Sequence, residues 1–600
     1  MRPRPWAKVT LDVVASILMR SDGLVGGEAE RDRPAAWAEG RWRLAAFLAI
    51  LAGATAACGG PSPTSASDSG SSAQLGDGAR FDGPPGADGT ARDGGIADGG
   101  VSDGKRSDGG GPSDGAAAAD APAPAGKTYV VALTGKDTNP GTAAAPLRTI
   151  GKALALAAAG DLVLVRPGTY AERLSLDGKH GAQGRPITVL GDSRDTNTYP
   201  VIDGGDPGYA SSSDKPAVSI ARSSWLTFER LKIVNSSKAS VSIAASGYVV
   251  LRRLVLDFHG QGVLLKDKAH HVLVEYCELF QSYGQQTWTQ LKGSKWEGGA
   301  FVSFGGAGMH VVRFNHIHDA FNGIYLYKGS RTAPYHDANV WIYRNRFERI
   351  VDDPYEPETY AFNNHFFHNT LVNAHRMMSL APAYLGPIYC YANVQTLTTD
   401  VTGEAASKGR RNSAFKVELN STFPTNGAYV FNNSIDVSTP GVNGYGVDLL
   451  AAEVHKLFHY NNAYRTEKVT ISTAPKLVDA ELDADVSQTS LGYAEPNGLS
   501  NTEPGFLRTT PEDFRLGSAA AARGRARAIV LTVGFASSAV VAAKADVGAY
   551  QAGEQDFRVV PSPVYAVPPG GEDPSFGSGN LPWPADVYGG PRPPSGPRLK

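Results

Sequence analysis

Six short segments, RFNHI, YRNRF, FHNTL, YANVQ, FNNSI and YNNAY, each run in strand-like alternation into an asparagine: Asn315, Asn345, Asn369, Asn393, Asn433 and Asn462. They belong to a repeat of about 23 residues that spans roughly Ala217 to Tyr464. Three earlier segments, FERLKI, LRRLVL and EYCELF, register Arg230, Arg253 and Cys277 on the same column. A repeat this short, built from β-branched and aromatic runs with no room for helices, is one coil of a solenoid. Stacked coils place equivalent residues about 4.8 Å apart, so a column of asparagines at a buried turn forms an amide ladder. The expected fold is therefore all-β, a single-stranded parallel β-helix. The longer steps, as between Cys277 and Asn315 or Asn393 and Asn433, are single coils carrying inserted loops, which tend to collect on the binding face.

Composition narrows the class. With 69 Gly, 39 Pro, 19% charged residues and a net charge of −2, the chain is turn-rich and carries no basic footprint, which excludes nucleic acid as a partner. Arg41-Trp-Arg43 followed by LAAFLAILAGATAA and Cys58 has the basic, apolar and small-residue order of an export signal. The apolar run is too short and alanine-rich for a permanent membrane span. Thr55-Ala56-Ala57-Cys58 resembles a bacterial lipobox, with Thr55 where that motif has Leu. The resemblance implies lipidation at Cys58 and attachment to the cell envelope by that anchor alone; an ordinary signal peptide and secretion are the alternative. Residues 1–58 are thus a targeting segment.

Residues 59–126 are Gly, Asp, Ala, Ser and Pro with Phe81 as the only aromatic, too little apolar surface to offset chain entropy, and read as a disordered tether. Their Asp-Gly pairs keep no nonapeptide period and are not calcium repeats. Residues 127–552 form the β-helix domain, and 553–600 are a Pro/Gly-rich tail. Cys277 and Cys390 lie about four coils apart, roughly 19 Å at the strand spacing, beyond disulfide reach, so both are expected reduced and buried. The chain is expected to be a monomer.

The domain opens with YVVALTGKDTNPGTAAAPLRTIGKALALAAAGDLVLVRPGTYAERLSL. Here a strand leads into a short helix with Ile150, Ala153, Leu154 and Ala157 on one face, then the strand Leu162–Val165. Such a helix is a lid for the open end of the solenoid. The strings GKDTNPGTAAAPLRTIGKAL and GDLVLVRPGTYAE resemble the amino-terminal cap and first coil of right-handed parallel β-helix proteins of the pectate-lyase-like superfamily. DFRLGSAAA from Asp513 and DVGAYQ from Asp546 resemble the way such domains close. The resemblance covers about residues 129–551. It implies a right-handed helix with an N-terminal capping helix, and a site on the outer face of one parallel sheet and in the turns before it.

Alternation locates that sheet. In Gly323-Ile-Tyr-Leu-Tyr327, Ile324 and Leu326 point inward and Tyr325 and Tyr327 outward. Registered on the asparagine column, the following coils contribute Tyr355–Glu358, Met378–Ala381, Phe415–Glu418 and Val447–Leu449, with Glu356, Glu358, Ser379, Lys416, Glu418 and Asp448 outward. The turns before them hold Asp352 and Asp353, then His375 and Arg376. The resulting polar patch spans three or four coils, about 10–15 Å, with Tyr325, Tyr327 and Tyr384 offering flat faces to sugar rings.

This patch suits uronate β-elimination, which needs a base for the proton beside a sugar carboxylate and a cation for the developing enolate. Lys416 is the expected base, its pKa lowered by Arg376 and a bound cation; Asp352, Asp353, Glu356 and Glu358 are the hard oxygen donors for Ca²⁺. The arrangement is similar to pectate lyases in which a lysine base works beside an acidic calcium site. VWIYRN from Val340 has Tyr-Arg where one pectate lyase group carries Asp-His, which argues against that group. Tyr325, Tyr327, His375, Ser379, Tyr384, Glu418 and Asp448 are the expected substrate contacts, the substrate being a uronate-containing polysaccharide. Two other readings stay open. One is hydrolysis by a carboxylate pair: Asp352-Asp353 resembles the adjacent aspartates of polygalacturonases, but that family's Gly-His-Gly and Arg-Ile-Lys strings are absent; C5 epimerisation starts from the same proton abstraction as the lyase. The other is a non-catalytic glycan-binding or adhesion module. Convergence of Lys416 or Arg376 with at least two of the four acids marks an enzyme, and splayed groups with a tyrosine strip mark a binder. His316 and His318 share a strand face and are read as solvated or packed, as are His365 and His368.

Overall fold

The computed structural model describes residues 126–206, 215–327, 337–358, 360–361, 363–420, 425–533, 536–541 and 544–550. The targeting segment with Cys58, the linker up to residue 125 and the tail 553–600 lie outside the described residues.

Three parallel sheets run along a solenoid. One coil shows the order: Gln261–Lys266 lies in the first sheet, His270–Glu275 in the second, Glu278–Phe280 in the third, and Gly299–Phe304 returns to the first. Side chains of period two point alternately into and away from the core. The interior is one continuous apolar column that includes Val241, Val263, Phe301, Ile324, Tyr355, Met378 and Phe415, each at most 1% exposed. At the amino-terminal end the helix Ile150–Leu156 buries Ile150, Ala153 and Leu154, with Ala157 buried at its C-cap. Thr149 caps it by accepting from Lys152 N, and the Glu172 carboxylate receives Ile150 N and Gly151 N at 2.8 and 3.0 Å. The strand Leu162–Val165 follows as expected.

The asparagine ladder stands in the turn between the second and third sheets. Asn345 Oδ1 accepts both the backbone N–H and the side-chain amide of Asn315, at 3.1 and 3.0 Å. The same pair of bonds repeats from Asn345 to Asn369, Asn369 to Asn393, Asn393 to Asn433 and Asn433 to Asn462. Asp485 closes the ladder, its Oδ1 accepting from Asn462 N at 2.7 Å.

The register of the early coils needs one correction. Lys232, Val255, Glu278 and His316 are partners in the third sheet, so the residues on the asparagine column are Leu231, Leu254 and Cys277, not Arg230 and Arg253. Arg230 and Arg253 stand one place earlier, where the backbone turns through a left-handed conformation (φ 56° and 51°), as do Tyr276, Phe314, Arg344, His368, Asn432 and Asn461. Only the last two are residues that adopt it cheaply; at the rest, the turn is imposed by the stacked coils. Cys277 serves the ladder with its thiol, which receives Leu254 N at 3.4 Å, while Cys277 N donates to Asn315 Oδ1 at 2.9 Å. Cys277 and Cys390 are both buried free thiols.

Outside the second sheet, Tyr343, Phe367, Tyr391 and Phe431 stack at 5.0 Å per step. Carboxy-terminal residues Phe506, Phe514, Ile529 and Val547 join this outer apolar cluster, and Asn432 Nδ2 donates to Asp546 O and Gly548 O. The closing segment thus covers the flank of the second sheet.

Candidate functional site

The first sheet is interrupted midway. Asn322–Tyr327 pairs with Tyr355–Glu356, a strand of two residues flanked by Pro354 and Pro357, which have no N–H to extend a ladder. The sheet resumes as Met378–Leu380, Asn412–Val417 and Gly444–Leu449. Tyr325 is level with Glu356, Ser379 with Lys416, and Lys416 with Asp448, while Ile324, Tyr355, Met378, Phe415 and Val447 face the core. The alternation read from the sequence therefore holds within each of the two runs of strands. Gly323 seats the acidic turn: a Cβ there would come within 2.4 Å of Pro354 O.

The exposure of this column differs from expectation. Asp352, Asp353, Glu356, His375, Arg376, Ser379 and Asp448 are all buried. Two insertions in the turns before the first-sheet strands, residues 281–298 and 397–411, rise beside them. They are fastened together: Glu404 Oε1 accepts Thr289 N at 3.0 Å, Trp288 N donates to Thr402 O, and the Arg410 guanidinium lies 3.6 Å from the Trp288 ring centroid. Leu291 packs with Phe321 and Val351 at the base of this wall. From it Lys292 reaches Asp352 Oδ2 at 3.4 Å and Glu297 at 2.7 Å.

Lys416 Nζ lies 3.7 Å from Asp353 Oδ2. Neither oxygen of Asp353 accepts a hydrogen bond from an N–H or hydroxyl donor, although the carboxylate is fully buried. Glu356, which receives Asn322 Nδ2 at 3.0 Å, is pushed well above the usual carboxylate range by burial and then by Glu358, Asp353 and Asp352. A neutral Glu356 can share its proton with Asp353, which is how two buried acids coexist. Asp352 goes the other way. Burial opposes its charge, but Lys292 and then Lys416 outweigh this and hold it at about 2.

These acids also overturn the expected charge state of Lys416. Burial pulls its pKa down and Arg376 helps, yet Asp353, Asp352 and Glu356 together raise it above the ordinary lysine value. Without a cation on the acids Lys416 is a firm ammonium. Arg376 is committed to Asp448 Oδ2 at 3.5 Å and to the Ser413 hydroxyl, and Arg411 holds the other oxygen of Asp448 at 2.8 Å. Arg376 Nε and Ser379 Oγ have no hydrogen-bond partner. His375 does not face the groove: it is buried with Nδ1 2.8 Å from Asn412 Oδ1, and burial followed by Arg376 keeps it neutral.

The aromatic residues flank this centre. Phe304, Tyr325 and Tyr327 lie 5.7–6.0 Å apart, with Phe304 and Tyr327 exposed; the Tyr325 hydroxyl donates to Glu358 Oε2 at 3.5 Å. Tyr384 stacks on Tyr360 at 5.1 Å. Glu358 and Glu418 are partly exposed at the groove edge. Lys292, Asn322, Trp288 and Arg411 escaped sequence reasoning. The long step between Cys277 and Asn315 was the one signal for Trp288 and Lys292, and that between Asn393 and Asn433 for Arg411; each announces an insertion without saying where it folds, and Asn322 had no signal.

Residues 129–349 match the family model described as Pel9A-like, right handed beta helix region. That stretch is accordingly similar to the family, and the fold is a right-handed parallel β-helix. An uncharacterized protein of Bacillus subtilis, YwoF, is 33% identical over 128 residues, which is 20% of this chain and 26% of that protein, so the match spans about a quarter of that relative. Among solved structures, pectate lyase Pel9A superposes with a TM-score of 0.41 at 12% identity, over 72% of this chain and 97% of that one. The GH136 lacto-N-biosidase from Eubacterium ramulus gives 0.35 at 15% identity, over 62% and 67% of the two chains.

Proposed function

We propose that this protein cleaves a uronate-containing polysaccharide by β-elimination, outside the cytoplasm, in the groove over the interrupted sheet. The observation that carries the reading is the convergence of Lys416 with Asp353, Asp352 and Glu356 in one buried centre. A binder has no use for a half-buried lysine held among buried acids; such groups are costly to desolvate and are the mark of a site with chemistry to perform.

In this reaction the base removes the proton beside the uronate carboxylate, the bond to the leaving oxygen breaks, that oxygen takes up a proton, and an unsaturated sugar remains. Lys416 is the base. Arg376 adjoins it and lowers its proton affinity, and its unpartnered Nε is available to a sugar oxygen. Calcium suits the acids by donor chemistry: Asp353, whose oxygens accept no N–H, and Asp352, Glu356 and Glu358 offer hard oxygens that would have to close around an ion. Bound there, the ion would offset the carboxylate charge and stabilise an enolate. Asp352 and Asp353 then no longer hold Lys416 as an ammonium. Phe304, Tyr325 and Tyr327 supply faces for neighbouring sugar rings. The carboxylate-pair hydrolase reading is weaker because Glu356 and Asp353 sit side by side, whereas acids that flank a glycosidic bond stand about 5 Å or more apart.

The test is ultraviolet absorbance of unsaturated products from a panel of polyuronates, with calcium or with chelator. Lys416→Ala should lower turnover by about 100-fold or more with calcium binding intact, and Asp353→Ala should weaken calcium binding first. Lyase activity indifferent to Lys416→Ala removes that residue as base. No turnover on any polyuronate transfers the site to a hydrolase or a binder.

A further inference from the structure

A second cluster lies on the third sheet, on a face that the groove chemistry does not use. Glu278 stands on the strand Glu278–Phe280, and His316 and His318 on the neighbouring strand His316–Ala320, with Glu278 level with His316 and Phe280 level with His318. Residues two apart on a strand share a face, so both imidazoles and the carboxylate project to the same side. One donor atom from each lies within 4.8 Å of the other two, and among the described residues this is the group of three histidine, cysteine or carboxylate side chains for which that holds. The four acids at Asp352–Glu358 are not so gathered.

We propose that Glu278, His316 and His318 bind one divalent cation of the zinc type. Two imidazoles and one carboxylate are a donor set for zinc and its neighbours, and an open fourth position remains for water; calcium, which takes six to eight oxygens, is excluded. The spacing agrees, since ligands about 2.1 Å from a tetrahedral ion stand about 3.4 Å apart, and His318 Nε2 is 3.2 Å from Glu278 Oε1.

The surroundings prepare His318 for this role. Asp319, in a left-handed turn at φ 48°, folds its carboxylate back to His318 Nδ1 at 2.7 Å. Arg349 clamps that carboxylate through Nε and Nη2 at 2.5 and 2.6 Å. With its Nδ1 proton held by a carboxylate, His318 has Nε2 left for an ion, which would displace the proton that Nε2 shares with Glu278 Oε1. Phe280 stacks flat on His318 at 5.1 Å and fixes its plane. His316 lies 4.3 Å from His318 between ring centroids, and its Nε2 faces Glu348 Oε2 at 3.3 Å, so Glu348, itself bound by Arg346 at 2.9 Å, stands beside the site as a fourth oxygen or as the partner that orients His316. All three proposed ligands are half-buried, open to an incoming ion.

The location gives the ion a consequence. The strands it would join bracket the insertion 281–298, whose Lys292 reaches Asp352. A cation there pins the two coils from which one wall of the groove springs.

The experiment uses untagged full-length protein stripped of metal with EDTA. Zinc titrated calorimetrically should bind one per chain with micromolar or tighter affinity, cobalt should give the visible absorption of a low-coordinate site, and zinc but not calcium should raise the melting temperature. His316→Ala and Glu278→Gln should each weaken zinc binding at least tenfold, while His180→Ala, at an exposed histidine elsewhere on the solenoid, should change nothing. Circular dichroism and melting of the metal-free variants, expected to match metal-free wild type, separate lost binding from lost fold. The proposal is overturned if wild type binds no zinc, or if the two ligand variants bind it as wild type does.

Discussion

Asn369 offers the sharpest test of the ladder. Its side chain is fully buried and makes four bonds: Oδ1 accepts Asn345 N at 3.0 Å and Asn345 Nδ2 at 3.1 Å, and Nδ2 donates to Ile342 O at 3.0 Å and Asn393 Oδ1 at 3.0 Å. In Asn369→Ala the Asn345 N–H loses its acceptor in a turn that water does not reach. Its amide group retains Val312 O, and Asn393 Oδ1 retains Asn369 N. One orphaned backbone donor costs about 1–3 kcal/mol and the remaining lost amide bonds about 1 more, so the expected loss is about 2–4 kcal/mol. Asn197, exposed in a short turn outside the column, should cost under about 0.5 kcal/mol when changed to Ala. Urea unfolding followed by circular dichroism measures both. The coils couple mainly to their neighbours, so Asn369→Ala should also broaden the transition. Equal and negligible losses at the two positions would refute the ladder as a stabilising element.

One further outcome comes from the structure and one from the sequence. Because Asp352 is held at about 2 against an ordinary 3.8 by Lys292 and Lys416, its contribution is complete above about pH 4 and is lost as pH falls through 2. It amounts to about 2 kcal/mol. Lys292→Met should move this acid-side loss to higher pH in urea titrations between pH 2 and 6, and superimposable acid limbs in the two proteins would remove the pairing from the account. At the other end of the chain, Cys58→Ala should shift mature protein from the membrane fraction to the soluble one on fractionation; an unchanged distribution defeats the lipid anchor.

Much of the groove was legible because a β-helix is governed by two translational rules. Side chains alternate along a strand, and equivalent residues stack from coil to coil. The asparagine column therefore sufficed to register Tyr325 with Glu356, and Ser379 with Lys416 and Asp448, as the strand pairs have them. The same rules placed Ile324 and Leu326 in the core and the helix Ile150–Leu156 at its end. The one-residue slip at Leu231 and Leu254 arose where no asparagine marks the column, and where the left-handed turn residue before it is an arginine that carries no sign of its conformation.

What the repeat does not encode was decided by tertiary structure. Insertions break the translational rule, so nothing in the spacing says that residues 281–298 and 397–411 rise together beside the acids, bury them, and bring Lys292 to Asp352. Charge states follow from that burial: Lys416, expected to be the group whose pKa falls, is held up by Asp353, Asp352 and Glu356 because all four share one buried space. Glu278 and His316 are 38 positions apart in the chain and adjacent only because the coil between them, insertion included, returns to the third sheet. Local alternation and stacking are properties of the chain and can be read along it; desolvation and electrostatic coupling depend on which distant segments close over a site, and those appear only once the chain is folded.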